Sequence, residues 1–129
     1  MPLIEVLQLI LRVALAAVFF FMGITHFLPA AGRTMAAMIP PALTRQGWPS
    51  AKAWVRVTGV CEIAGAIGLL VPATRLAAGI ALVVFLIAVF PANAVAASNP
   101  AKFGRAAIPF WPRLGAQLAL IAACALAAI

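Results

Sequence analysis

Acidic side chains are almost missing from this chain. Two glutamates, Glu5 and Glu62, stand against nine lysines and arginines in 129 residues. Charged residues make up only 9% of the chain, against roughly 25% in a soluble domain. Hydrophobic residues reach 67%, well above the roughly 45–50% usual for soluble domains. That excess runs along the whole sequence and exceeds what one buried core can absorb. A separate soluble module is excluded, and a single membrane domain is expected.

Cysteine is equally scarce. Cys61 and Cys124 each sit alone inside an apolar run, without a CxxC pair or metal-ligand spacing. Both are expected to be buried small hydrophobes. One histidine, His26, beside one glutamate makes a poor metal site, so no metal is expected. No motif holds haem, flavin or an iron–sulfur cluster. Asn93 and Asn99 start no glycosylation triplet.

The net charge of +7 and pI near 11.6 would suit a nucleic-acid partner. The cations, however, gather at the ends of apolar runs and build no basic stripe. Topology explains them, and no nucleic acid is expected. Met1-Pro2-Leu3-Ile4-Glu5 offers no basic leader, and its apolar run overshoots a signal-peptide core. The first segment is therefore expected to be retained.

A bilayer core needs roughly 20 apolar residues in a helix. Four runs meet this, at about 3–27, 51–71, 74–97 and 111–129. They lack strand-like alternation, so the fold expected is all-α, an integral membrane four-helix bundle. Ser50 suits an N-cap, and Pro72 stops the second helix. Val71–Arg75 is a tight hairpin. The loop over about 28–50 is longer, and within it Ala31–Met38 is either an interfacial helix or unstructured.

Arg33, Arg45, Lys52, Arg56, Lys102, Arg105 and Arg113 flank the first and third loops, leaving Arg12 and Arg75 opposite. Seven against two places those loops in the cytoplasm of an inner-membrane protein, with both termini periplasmic. Trp48, Trp54 and Trp111 fall on the same edge, as an interfacial belt requires. Arg12, in the opposite half, is expected to snorkel or to pair with Glu5.

Polar groups in hydrocarbon are costly, and an ionisable one points to function. Each helix places one in the cytoplasmic half. His26 ends the first helix, and Glu62 lies six residues beyond Arg56, about 9 Å deeper at ~1.5 Å per residue. Asn93 follows Pro91, which opens the third helix near the Ile87 carbonyl. Arg113 begins the fourth helix, with Gln117 one turn on. Facing inward, these groups would form one polar pocket. Glu62 is then a proton acceptor or ligand anchor, or else half of a structural ion pair with His26 or Arg113. Thr58, Gly59, Gly65, Ala66 and Gly68 give the second helix a small face suited to close packing.

These residues also carry a resemblance. Phe20-x-x-Gly23-x-x-His26-Phe27-x-Pro29 is followed by Thr58-Gly59-x-x-Glu62-x-x-Gly65-Ala66-x-Gly68-Leu69-Leu70. Phe90-Pro91-Ala92-Asn93 and Arg113-Leu114-x-x-Gln117 continue it in order. Together they resemble the DoxX and DoxX-like family over nearly the whole chain. The resemblance implies a prokaryotic four-helix membrane protein. The family is named for a subunit associated with thiosulfate:quinone oxidoreductase, and other members are tied to thiol or oxidative-stress systems. Related four-helix thiol oxidoreductases carry paired redox cysteines, which this chain lacks, so a dithiol mechanism is not expected.

The function expected is an accessory subunit of a membrane redox system. It would bind a quinone-like ligand among His26, Glu62, Asn93, Arg113 and Gln117, with no catalytic residue of its own. Whether the chain is itself an enzyme stays open. Its partners would be the bilayer and either other redox subunits or further copies of itself. The alternatives are a structural or assembly subunit, or a small oligomeric transporter.

Overall fold

The computed structural model describes residues 2–98 and 109–129. Lys102 and Arg105, counted above for orientation, lie outside the described residues. The described chain is all-helical: α1 (Leu3–Thr25), α2 (Pro29–Met38), a 3-10 turn (Pro41–Leu43), α3 (Ala51–Leu70), α4 (Arg75–Ala97) and α5 (Phe110–Ala128). Among them α1, α3, α4 and α5 are long and apolar enough to cross a membrane. The fold is a membrane four-helix bundle.

Local chemistry sets the boundaries. Ser50 caps α3, its Oγ accepting from the Ala53 N–H at 3.1 Å, as an N-cap serine does. After Leu70 the chain turns through Pro72, and the Thr74 hydroxyl donates to the Gly68 carbonyl at 2.8 Å. The stretch around Ala31–Met38 is a helix, begun by Pro29 at its first position and ended before Pro40-Pro41. Proline is suited to the first place because the N–H it lacks has no helical partner there.

Contacts run α1–α3, α3–α4, α4–α5 and α5–α1, which closes the bundle. His26 at the end of α1 meets Val55 near the start of α3. Gln8 in the first half of α1 reaches the Leu126 carbonyl, and Arg12 one turn on meets Ala127, at the end of α5. Neighbouring helices are therefore antiparallel, and the ends of α1 and α4 share one side of the bundle with the starts of α3 and α5. The core joins Leu15, Ala16, Phe19, Ala66, Leu69, Leu82, Leu86 and Cys124. Ile10, Val60, Ile80, Ile87 and Leu118 point outward, a surface that lipid covers and water would not tolerate. Cys61 also lies on that outer surface, so only Cys124 of the two thiols is buried as expected.

Hydrocarbon gives apolar helices little reason to associate, so close packing and internal hydrogen bonds must hold them. The α1–α3 crossing shows the packing. A Cβ on Gly59 would stand 2.7 Å from the His26 Cβ and 3.1 Å from the Gly23 backbone oxygen. Gly59→Leu is expected to separate α1 from α3, costing at least the ~1–3 kcal/mol typical of overpacking. Thermal unfolding in detergent checks this, and an unchanged midpoint would mean the crossing is looser than described.

Candidate functional site

The sequence places His26 and Glu62 on different helices, and the fold brings them together. His26 Nε2 lies 3.0 Å from Glu62 Oε2. On the other side of the ring, Nδ1 lies 2.9 Å from the Val55 carbonyl and 3.1 Å from the Thr58 hydroxyl oxygen. Thr58 gives its own proton to the Trp54 or Val55 carbonyl, at 3.0 and 2.9 Å.

A carbonyl can only accept, so Nδ1 must carry a hydrogen. The Nε2–Oε2 contact is at ion-pair distance, while Oε2 has no partner in hydrogen-bonding geometry. A proton shared across it would leave the pair neutral, which suits its burial: Glu62 is 6% exposed.

His26 lies one residue beyond the α1 span, and its pKa is raised above the ordinary 6.5. Burial opposes the charged form. The hydrogen bonds to Glu62 and to the Val55 carbonyl, and the charge on Glu62, favour it by more.

Beside this pair is a cavity of about 540 Å³ between the end of α1, α2 and the first turns of α3. His26, Phe27 and Val55 form part of its wall, and Arg33, Lys52 and Arg56 also line it. In the sequence these three cations read as topology signals, and their convergence does not show there. The one available clue was Lys52 and Arg56, four apart on one helix face.

The remaining residues form a second polar group on α4 and α5. Arg113 Nη1 donates to Asn93 Oδ1 at 2.9 Å. The Gln117 amide, itself buried, donates to the Leu86 carbonyl. Pro91 is inside α4, and Gln117 serves the Leu86 carbonyl, one residue before the Ile87 carbonyl that proline leaves without its donor. Among the described residues no hydrogen bond joins this group to His26–Glu62, and Glu62 is paired with His26. Asn93, Arg113, Gln117 and Glu62 do not line the cavity.

Arg12 departs most from expectation. It is 8% exposed, and it neither snorkels nor pairs with Glu5. Its Nε donates to the Ala127 carbonyl at 2.8 Å and its Nη2 to the Ile129 carbonyl at 3.0 Å. It thus ties α1 to the last turn of α5. Among the described residues no cluster of three or more His, Cys, Asp or Glu could hold a metal ion.

Fold and site together define a multi-pass helical membrane protein with a basic, histidine-walled cavity at one end of its bundle. The chain belongs to the family described as domain of unknown function DUF8561, matched over residues 15–128. Comparison with curated proteins and with solved structures gives no match.

Proposed function

We propose that this chain is a DoxX-like accessory subunit of a membrane redox system, binding a lipophilic, quinone-like ligand from the bilayer. The observation that carries this reading is the cavity whose wall includes His26, backed by the buried His26–Glu62 contact. A quinone needs hydrogen-bonding groups at its ring carbonyls, a proton during reduction and lipid access for its tail. The cavity wall offers His26 and the cations, and the His26–Glu62 contact is a proton reservoir next to it. The chain contributes binding and proton exchange, while electrons come from another subunit.

The cavity end carries Arg33, Arg45, Lys52, Arg56 and Arg113, against Arg12 and Arg75 at the other. This imbalance supports placing the cavity on the cytoplasmic side of the inner membrane.

A structural role is the second reading, favoured by the saturation of both His26 nitrogens within the bundle. Native mass spectrometry from mild detergent, after incubation with a short-chain ubiquinone analogue, separates the two. Glu62→Gln keeps the shape of the pair but cannot exchange its proton. Wild type is expected to retain the quinone and Glu62→Gln to lose it. A bare protein or an unchanged oligomer in both cases would sink the ligand reading and leave the structural one.

A further inference from the structure

The chain cannot neutralise its own cavity. Arg33, Lys52 and Arg56 line one space, and the whole chain has two acids. Glu62 is engaged by His26, and Glu5 stands in the first turn of α1, at the opposite end. The counter-charge must come from another molecule.

A second feature shows what kind of molecule. An apolar groove of about 350 Å³ runs between α1 and α3, lined among others by Ala17, Phe20, Ile67 and Leu70. Helical phase places it on the same side of the α1–α3 pair as the cavity. Phe20 of the groove and Phe27 of the cavity are seven residues apart, which is about 20° from alignment at ~100° per residue. Ile67 and Arg56 are eleven apart, again about 20° from alignment, and Ala66 and Val55 repeat the relation. The step from Phe20 to Phe27 is about 10 Å along the helix axis. A cationic site and an apolar groove therefore lie on one seam, about 10 Å apart along α1.

We propose that this seam is a binding site for an anionic phospholipid, its phosphate held by Arg33, Lys52 and Arg56 and one acyl chain lying in the α1–α3 groove. Basic side chains at a membrane surface attract acidic headgroups, and here three of them line one cavity on the seam that also holds the apolar groove. This goes beyond the quinone reading and makes a further claim. The lipid and the tail of a cavity-bound quinone would use the same groove, so they exclude one another.

The test is native mass spectrometry of the full chain after incubation with phosphatidylglycerol or phosphatidylcholine of identical acyl chains. Wild type is expected to retain the anionic lipid at least about tenfold better, at roughly 1 kcal/mol per basic residue. The variant Arg33→Gln/Lys52→Gln/Arg56→Gln should lose that preference, and these exposed positions carry no packing that folding needs. Ala17→Trp fills the groove and should lower retention of phosphatidylglycerol while the cations remain. Equal retention of both lipids, an undiminished preference in the triple variant, or indifference to Ala17→Trp would each overturn the site. Displacement of the lipid by millimolar inorganic phosphate would reassign the cations to a soluble anion and overturn it too. Glu62→Gln keeps Arg33, Lys52 and Arg56, so its lipid preference reports on this site separately from the quinone reading. Loss of quinone from every form with lipid retained would fail that reading alone.

Discussion

His26→Leu is expected to destabilise the bundle more than His26→Leu combined with Glu62→Met. The single change leaves the Glu62 carboxylate, 6% exposed, without the imidazole 3.0 Å away. Stranding one member of a buried pair costs about 3–5 kcal/mol. Replacing both members by apolar side chains of similar size removes the stranded charge and the desolvation penalty together, and such replacements are often neutral. The Val55 carbonyl loses its imidazole but still receives the Thr58 hydroxyl, so the double change orphans little. Thermal unfolding in detergent should place the double variant well above the single one. A double variant as weak as the single, or weaker, would show that the pair itself holds α1 to α3.

The same pair predicts a pH dependence. The folded pKa of His26 is raised, so its contribution is complete below the unfolded value near 6.5 and is lost as pH rises through the folded one. Wild-type stability should decline over that interval, and the double variant should show no such decline. A parallel decline in both would assign the effect to some other group.

The sequence shows some of this architecture and hides the rest, for physical reasons. Spans are visible because a bilayer demands long apolar runs and the helix rise fixes how long. That Glu62 meets His26 or Arg113 is visible because all three fall in one half of the bundle, but the choice of His26 depends on how α1 packs on α3. That Pro91 withdraws one backbone donor from α4 is visible because proline lacks an N–H. That Gln117 serves the adjacent Leu86 carbonyl is not, since this depends on how α5 rotates against α4. The cationic cavity is hidden by the same ambiguity. Arg33 reaches Lys52 and Arg56 only because α2 packs on α3, and a loop helix has no register that sequence alone fixes. Arg12 is the hardest case. Its partners are backbone carbonyls 115 and 117 positions away, and a carbonyl leaves no signature in a sequence.

That hidden contact carries the second large prediction. Arg12→Met is expected to cost about 2–4 kcal/mol and to fray the end of α5. The last carbonyls of a helix have no partner within it. Arg12 satisfies two, at 2.8 and 3.0 Å, and places its charge where the helix dipole is negative. Gln8, one turn earlier, reaches the Leu126 and Ile129 carbonyls only at 3.4 and 3.5 Å, too long to replace it. Each charge-assisted bond contributes about 1.5–3 kcal/mol. Against this stands the cost of burying a guanidinium, which methionine removes. We expect the bonds to prevail, because the Ala127 contact is buried and the change removes its side-chain donor. Amide exchange over residues 124–129 should accelerate in the variant while that at the centre of α3 does not. Arg12→Lys should recover less than half of the loss, since one ammonium lacks the fork that spans two carbonyls. A methionine variant as stable as wild type would mean that desolvation of the guanidinium cancels what its bonds contribute.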